Sequence, residues 1–432
     1  MTGYTEFSEQ EKTSMYKSFY GQVRERMIRY AKTDTQSQRN SSAVPTTKKQ
    51  FDLAFMLRDE LVNIGVSEVF LDEEHCVVYG KIPPFPAEST GRPFGLIAHM
   101  DTSPDAEGAG VKPWVLENYS GGDIVLNKEK GIVMRAADFP NLGNYIGQDL
   151  ILTDGTTLLG GDDKAAISAI MTFAQYLCEN PEIPHPMIAI AFTPDEEVGG
   201  LAKDLDLKRF EAPVAYTLDG DHLGYYQDET FNASSAAVTI TGRSVHPGTA
   251  KGIMINAADI AAEFIEMLPK EERPQTTEGR EGFYHVNACN ASCEKAVIQL
   301  IIRDHDSAVF ERRCRFLEEC CEILGEKYGK ERIKIEIVPT YRNMKEVVDQ
   351  VPYMIDHLKN AIAACGLEPV CEPFRGGTDG SALSHRGLPC PNLSAGYENA
   401  HGRFEYVPIR SMAKNVEILL ALTEQFCFRQ RS

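Results

Sequence analysis

The sequence predicts an α/β chain in which a larger three-layer domain, residues 1–230 and 345–432, is interrupted by a smaller α+β domain over residues 231–344. Three observations predict it. Two short apolar runs, Phe94–Ala98 and Met187–Phe192, read as buried parallel strands, and Ala165–Cys178 between them reads as the connecting helix. Strand, helix and strand in that order place helices in layers on a parallel sheet. Near residue 231 the pattern changes to strands that alternate apolar and polar positions, as on a sheet with one wet face. At 432 residues the chain also exceeds what one core usually supports, so two domains are expected.

The remaining elements follow from local periodicity. Residues 10–32 carry Phe19, Val23, Met27 and Ile28 at helical spacing, and a polar loop from Asp34 to Thr47 follows. A second amphipathic helix, Lys48–Ile64, leads to a strand pair at Val69–Leu71 and Val77–Gly80. In the smaller domain, strands are expected at Ala236–Gly242, Ala296–Arg303 and Arg332–Val338, with helices at Ile255–Leu268 and Val309–Tyr328. The α/β pattern returns after about residue 345, as expected of an insertion, and a cleft between the two domains is the expected place for a site.

Composition narrows the function. A formal charge of −19 argues against nucleic acid as a partner, because phosphate neutralisation needs clustered Lys and Arg. No apolar run approaches the roughly 18 residues that span a bilayer, so no membrane association is expected. The first residues, from Met1, show neither a basic nor an apolar leader region. Eleven cysteines, an odd number with no Cys-x-x-Cys pair, read as reduced thiols, and a cytoplasmic location is expected.

Chemistry concentrates behind the apolar runs. His99-Met100-Asp101 closes the first, Gly160–Lys164 (Gly-Gly-Asp-Asp-Lys) precedes the helix, and Thr193–Gly199 (Thr-Pro-Asp-Glu-Glu-Val-Gly) follows the second. Each group alone has a plain structural reading. A histidine on an apolar strand is usually a satisfied core residue; Asp162-Asp163 suit a helix cap, Asp163 better; Glu196-Glu197 suit a charged surface. Together, at strand ends, imidazoles and carboxylates without a thiolate favour a catalytic Zn, Co or Mn site, and the chain reads as a metallohydrolase. Strand periodicity lets His99 and Asp101 point the same way while Met100 points elsewhere.

Further stretches extend the pattern: Asp34–Ser37, Thr153–Gly160, Tyr216–Gly220, Val245–Gly252, Thr277–His285, Phe374–Ser381 and Glu398–Glu405. In this set and order, over nearly the whole chain, the sequence resembles the peptidase T family, tripeptide aminopeptidases of the zinc aminoacylase and carboxypeptidase superfamily. The resemblance implies a catalytic metallopeptidase domain carrying an inserted lid or dimerisation domain, and short peptides as substrates. It implies two Zn2+ ions per chain, with Co2+ or Mn2+ as alternatives. His99 and Asp219 would ligate one ion and Glu197 and His401 the other, with Asp162 bridging. Asp101 would orient the His99 imidazole, and Glu196 would be general base to a metal-activated water. His246 would stabilise the oxyanion, in many relatives from the partner subunit of a homodimer. Arg303 would bind the substrate carboxylate. Asn256 and Arg375 are further candidates for substrate contacts, with a structural role in their loops the alternative.

The chain departs from the resemblance at Gly220–Gly224, where Asp221 and His222 stand in place of further glycine; His222 is read as a loop residue. A dipeptidase or an N-acyl amino acid hydrolase of the same superfamily is the enzymatic alternative. A metal-free binding protein on this fold is the other, and it predicts gaps among the five ligands or at Glu196, where there are none.

Overall fold

A computed structural model of the chain describes residues 9–87 and 89–427; the opening residues read above for a leader lie outside them. The chain divides into two compact units: Met1–Asp228 with Val347–Glu372 and Leu383–Ser432, and Glu229–Glu346 with Pro373–Ala382.

The first unit is built on an eight-stranded mixed sheet. Its order is Ser67–Asp72, Val77–Ile82, Ile188–Thr193, Phe94–His99, Ala215–Leu218, Asn392–Leu393, Tyr225–Gln227 and Val370–Cys371. Phe94–His99 lies parallel to Ile188–Thr193 on one side and to Ala215–Leu218 on the other. These central strands are buried at every position, which is why they read as continuous apolar runs rather than alternating ones.

One face is covered by the helices Glu9–Ala31, Gly161–Glu179, Tyr353–Ala364 and Ile409–Cys427, whose buried residues join the strands in one core. Gly161–Glu179 is buried nearly all round, so it shows little amphipathic contrast in sequence. The opposite face holds a smaller cluster that includes Tyr79, Ile97, Ala191, Phe210, Leu383 and Leu388. Phe210 explains the glycine inside the first apolar run: a Cβ on Gly95 would sit 2.2 Å from its ring. Parallel strands all deliver their carboxyl ends to one edge, and there the chain leaves β structure at His99, Thr193 and Leu218.

A satellite not foreseen from sequence pairs Trp114–Leu116 and Val407–Pro408 with Leu150–Leu152, above a core of Tyr119, Leu142, Tyr145 and Tyr406. Strands of two or three residues are too short to display a period. Among the described residues no helix is long and apolar enough to cross a membrane.

The second unit is a four-stranded antiparallel sheet, ordered Phe283–Ala291, Lys295–Asp304, Asn232–Thr241 and Ile333–Tyr341, with the helices Ala257–Met267 and Ser307–Tyr328 packed on one face. The sequence showed three of these strands. The fourth, Phe283–Ala291, is an edge strand buried only at its start, so alternation is faint. Pro373–Ala382, placed by sequence with the larger domain, belongs to this unit. Phe374 N–H donates to Glu229 O (2.9 Å) and Phe231 N–H to Gly376 O (3.2 Å), backbone bonds that local pattern cannot reveal.

Candidate metal centre

The first unit gathers five side chains from five separate segments of the chain. His99 is the last residue of its strand, Asp219 follows another, and Asp162 stands in a non-helical step (φ −77°, ψ 102°) near the start of Gly161–Glu179. Glu197 lies in the single 3-10 turn Glu196–Val198 after Ile188–Thr193. His401, with φ of 63°, lies in the loop that follows Asn392–Leu393. Asp163 does not cap the helix, as sequence suggested: its Oδ2 accepts the His99 N–H at 3.2 Å across the fold. Gly160, with φ of 76°, makes the left-handed turn ahead of this segment, which a residue without a Cβ adopts freely.

Two triads share one carboxylate. His99, Asp162 and Asp219 place ligand atoms within 4.8 Å of one another, and so do Asp162, Glu197 and His401. Asp162 offers a different oxygen to each: Oδ1 lies 2.9 Å from His99 Nε2, and Oδ2 lies 3.1 Å from His401 Nε2. His401 Nε2 is also 2.9 Å from Glu197 Oε2. Ligand atoms each about 2.1 Å from one ion stand roughly 3–3.5 Å apart at four- to six-coordinate angles, so this spacing suits a cation. Glu197 Oε1 is buried without a hydrogen-bond partner among the described residues, a cost that coordination would remove. The donors are nitrogen and oxygen only, a set suited to Zn, Co or Mn.

Electrostatics agree. Burial opposes charge on His99, yet the carboxylates of Asp101 and Asp162 outweigh it and raise the imidazole well above its ordinary value. Asp162 and Glu197 raise His401 to about 11. Burial also opposes charge on Asp162, but its bonds to His401 and His99 hold it below the usual range. Burial and the charge of Asp162 push Glu197 up to about 7 and raise Asp219. More carboxylate is buried here than the imidazoles can neutralise, which is the field a divalent cation relieves.

Asp101 has a divided role. His99 Nδ1 is 3.0 Å from the main-chain oxygen of Asp101 and 3.4 Å from its Oδ1, so the main chain takes the ring N–H and fixes Nε2 toward Asp162. The fully buried carboxylate also accepts the N–H groups of Glu196 (2.9 Å, Oδ1) and Glu197 (3.3 Å, Oδ2). Sequence reading assigned it only to the imidazole. Asp195, with φ of 62°, anchors the same turn by accepting Thr46 N–H (2.8 Å) and Gln50 Nε2 (2.7 Å). Tyr397, also missed, donates its hydroxyl to Asp219 Oδ1 at 2.7 Å and accepts Gly220 N–H. It adjoins the stretch Glu398–Glu405, the one signal that pointed toward it. His222 bonds Glu398 at 2.8 Å through Nδ1, so it is a tethered residue rather than a free loop side chain.

The other four sequence candidates lie in the second unit. His246 is exposed, and its Nδ1 accepts Gly248 N–H at 3.1 Å, which leaves the proton of the neutral ring on Nε2 as an outward donor. Arg303 Nη1 donates to Ser234 O (3.3 Å) and Ile302 O (3.0 Å), with the guanidinium 5.2 Å from the centre of the Tyr341 ring. Asn256 caps Ala257–Met267 by accepting Ala258 N–H at 3.1 Å. Arg375 donates to Gly279 O, Glu281 O and Thr277 Oγ1 at 2.8–2.9 Å. For Asn256 and Arg375 the internal partners favour the structural alternative over substrate contact.

Residues 228–332 match the model of the peptidase dimerisation domain. The chain is 47% identical over 414 residues to a peptidase T of Clostridium botulinum (strain Loch Maree), covering 94% of this chain and 99% of that one. Its fold is similar to the crystal structure of aminopeptidase PepT from Bacillus cereus, with TM-score 0.74 at 22% identity over 94% of this chain and 98% of the other. It is also similar to a dinuclear metal binding peptidase of the M20 family from Bacillus subtilis, with TM-score 0.65 at 12% identity over 94% and 98%. Near-half identity sustained along nearly the full length of both sequences, on the same fold, means that the chain belongs to the peptidase T family.

Proposed function

We propose that this chain is an aminopeptidase with two Zn2+ ions that releases the N-terminal residue from short peptides, tripeptides foremost, in cytoplasmic peptide catabolism. Membership of the peptidase T family supports the activity and the substrate class. One observation carries the metal reading: the two oxygens of Asp162 face His99 and His401 in separate triads. His99, Asp162 and Asp219 would hold one ion, and Asp162, Glu197 and His401 the other. The donor set also suits Co2+ or Mn2+, and metal analysis of the purified protein distinguishes the three. The match to the dimerisation domain supports a homodimer.

Ions bound there would supply Lewis acidity to the attacking water and the scissile carbonyl. Glu196 takes the proton of that water and returns it to the leaving amine. Asp101 holds the backbone from which Glu196 projects, so the base is aimed before substrate arrives. His246 donates from Nε2 to the developing oxyanion, the proton being placed there by the Gly248 N–H bond at Nδ1. Arg303 receives the C-terminal carboxylate with the part of its fork not engaged by Ser234 and Ile302.

The test is a substrate panel. A free tripeptide is compared with its N-acetyl and C-amide forms, a dipeptide and an N-acyl amino acid. An unmet buried charge costs about 1–3 kcal/mol, so blocking either end should lower kcat/KM by at least about ten-fold. Equal turnover of free and acetylated tripeptides would refute the aminopeptidase reading, and preference for the N-acyl amino acid would replace it.

A further inference from the structure

Asp162 and His401 reach the centre from segments 239 residues apart. A cation can bind tightly only if those segments are already in register. Asp101 serves the Glu196–Glu197 turn in this way, and a second buried carboxylate stands behind the Asp162 side. Glu405 is 2% exposed. Its Oε2 accepts the N–H groups of Leu159 (2.9 Å) and Gly160 (2.7 Å), and its Oε1 accepts the N–H of Asp162 (2.9 Å). Three backbone donors thus converge on one side chain, in the segment that presents the bridging carboxylate.

The same residue sits at the base of the His401 loop. Glu398 N–H donates to Tyr406 O (2.9 Å) and Tyr406 N–H to Glu398 O (3.0 Å), closing residues 398–406 into a loop with His401 between its ends. Val407 next pairs antiparallel with Ile151, which leads into the Asp162 segment. Gly161, just before Asp162, makes room for the contact. A Cβ on Gly161 would lie 3.0 Å from Glu405 Oε1 and 2.6 Å from Val407 Cγ2.

We propose that Glu405 is a positioning residue that locks the bridging Asp162 to the His401 loop and thereby sets the affinity for both cations. It rests on the metal-centre reading above but not on the substrate, because its test reads metal affinity and backbone protection rather than hydrolysis. Both oxygens of Glu405 act as acceptors here. In Glu405→Gln an NH2 group must face Leu159 and Gly160 or Asp162, donor against donor. Outer partners of this kind typically change metal affinity 10–100-fold, so a loss of about that size is expected for both ions. Glu405→Asp keeps both acceptor oxygens but is one methylene shorter, and should fall between the parent and Glu405→Gln.

The experiment strips the protein with a chelator, confirms the fold by circular dichroism, and titrates Zn2+ against a chromophoric competitor. In parallel, amide exchange is followed at Leu159, Gly160 and Asp162 in the unsubstituted, metal-free protein, where the proposal expects protection before any ion is added. Variants that are folded and bind both ions as the parent does would overturn the proposal. So would a loss of thermal stability with unchanged affinity, which is the mark of a purely structural role. If neither variant folds, the exchange measurement decides: free exchange of the three amides in the metal-free protein, with protection appearing only after Zn2+, would also overturn it.

Discussion

Asp101→Asn separates two roles that a buried aspartate beside a metal-binding histidine can play. The His99 ring N–H is taken by the main-chain oxygen of residue 101 at 3.0 Å, which the substitution leaves in place. The carboxylate holds the Glu196 and Glu197 N–H groups at 2.9 and 3.3 Å, and an amide can accept only one of them. A hydrogen bond to a charged group contributes about 1.5–3 kcal/mol, and the site is fully buried, so water cannot replace it. If that energy is lost from the placement of Glu196, kcat falls by about 10- to 150-fold at roughly 1.36 kcal/mol per decade. The ion held by Glu197 and His401 should weaken more than the one held by His99 and Asp219. Steady-state hydrolysis of a tripeptide at saturating Zn2+ measures the first effect, and competition with a chelator that resolves two binding steps measures the second. Unchanged kcat, or selective loss of the His99–Asp219 ion, would refute the division of labour and return Asp101 to the imidazole.

Glu196→Gln keeps the shape of the base but cannot accept a proton, so kcat should fall about 10²–10⁴-fold while metal content stays at the parent level; loss of metal instead would make Glu196 a ligand. Asp162→Asn should impair binding of both ions because each of its oxygens serves a different triad, whereas His401→Ala should weaken mainly one; elemental analysis reads the difference, and two ions with normal turnover in Asp162→Asn would end the bridging assignment. Metal affinity should rise with pH. His401, raised to about 11 by Asp162 and Glu197, must lose a proton to bind a cation, which gives about ten-fold tighter binding per pH unit near neutrality and above. Below about pH 7 the buried Glu197 also begins to protonate, and the dependence steepens as pH falls. Chelator competition from pH 6 to 9 measures the slope, and a flat profile would show that the imidazoles are already neutral.

Much of this was written locally. Phe94–Ala98 and Ile188–Phe192 are apolar at nearly every position because both faces of their sheet are covered, and that alone announces a parallel α/β core. The inserted unit announced itself through Ala236–Gly242 and Ala296–Arg303, whose alternation records one buried and one wet face. The ligands were legible because each ends or follows such a strand, and because imidazoles with carboxylates and no thiolate have few uses there.

What sequence could not state is which atom meets which. Asp101 was identified as important, but only the packed turn shows that its carboxylate holds the Glu196–Glu197 backbone while its main chain holds His99. Arg375 and Arg303 carry the same guanidinium, yet folding spends the Arg375 fork on carbonyls and a hydroxyl of residues 277–281, whereas among the described residues Arg303 donates through Nη1 to Ser234 O and Ile302 O. Pro373–Ala382 changed unit, and Glu405 gained three backbone partners from residues 159–162. The physical reason is common to all of these. Periodicity and residue chemistry are properties of the neighbouring chain, so sequence by itself determined the layers, the insertion and the ligand types. Hydrogen bonds between segments distant in the chain depend on where folding brings each side chain and backbone group, and only the tertiary structure decided them.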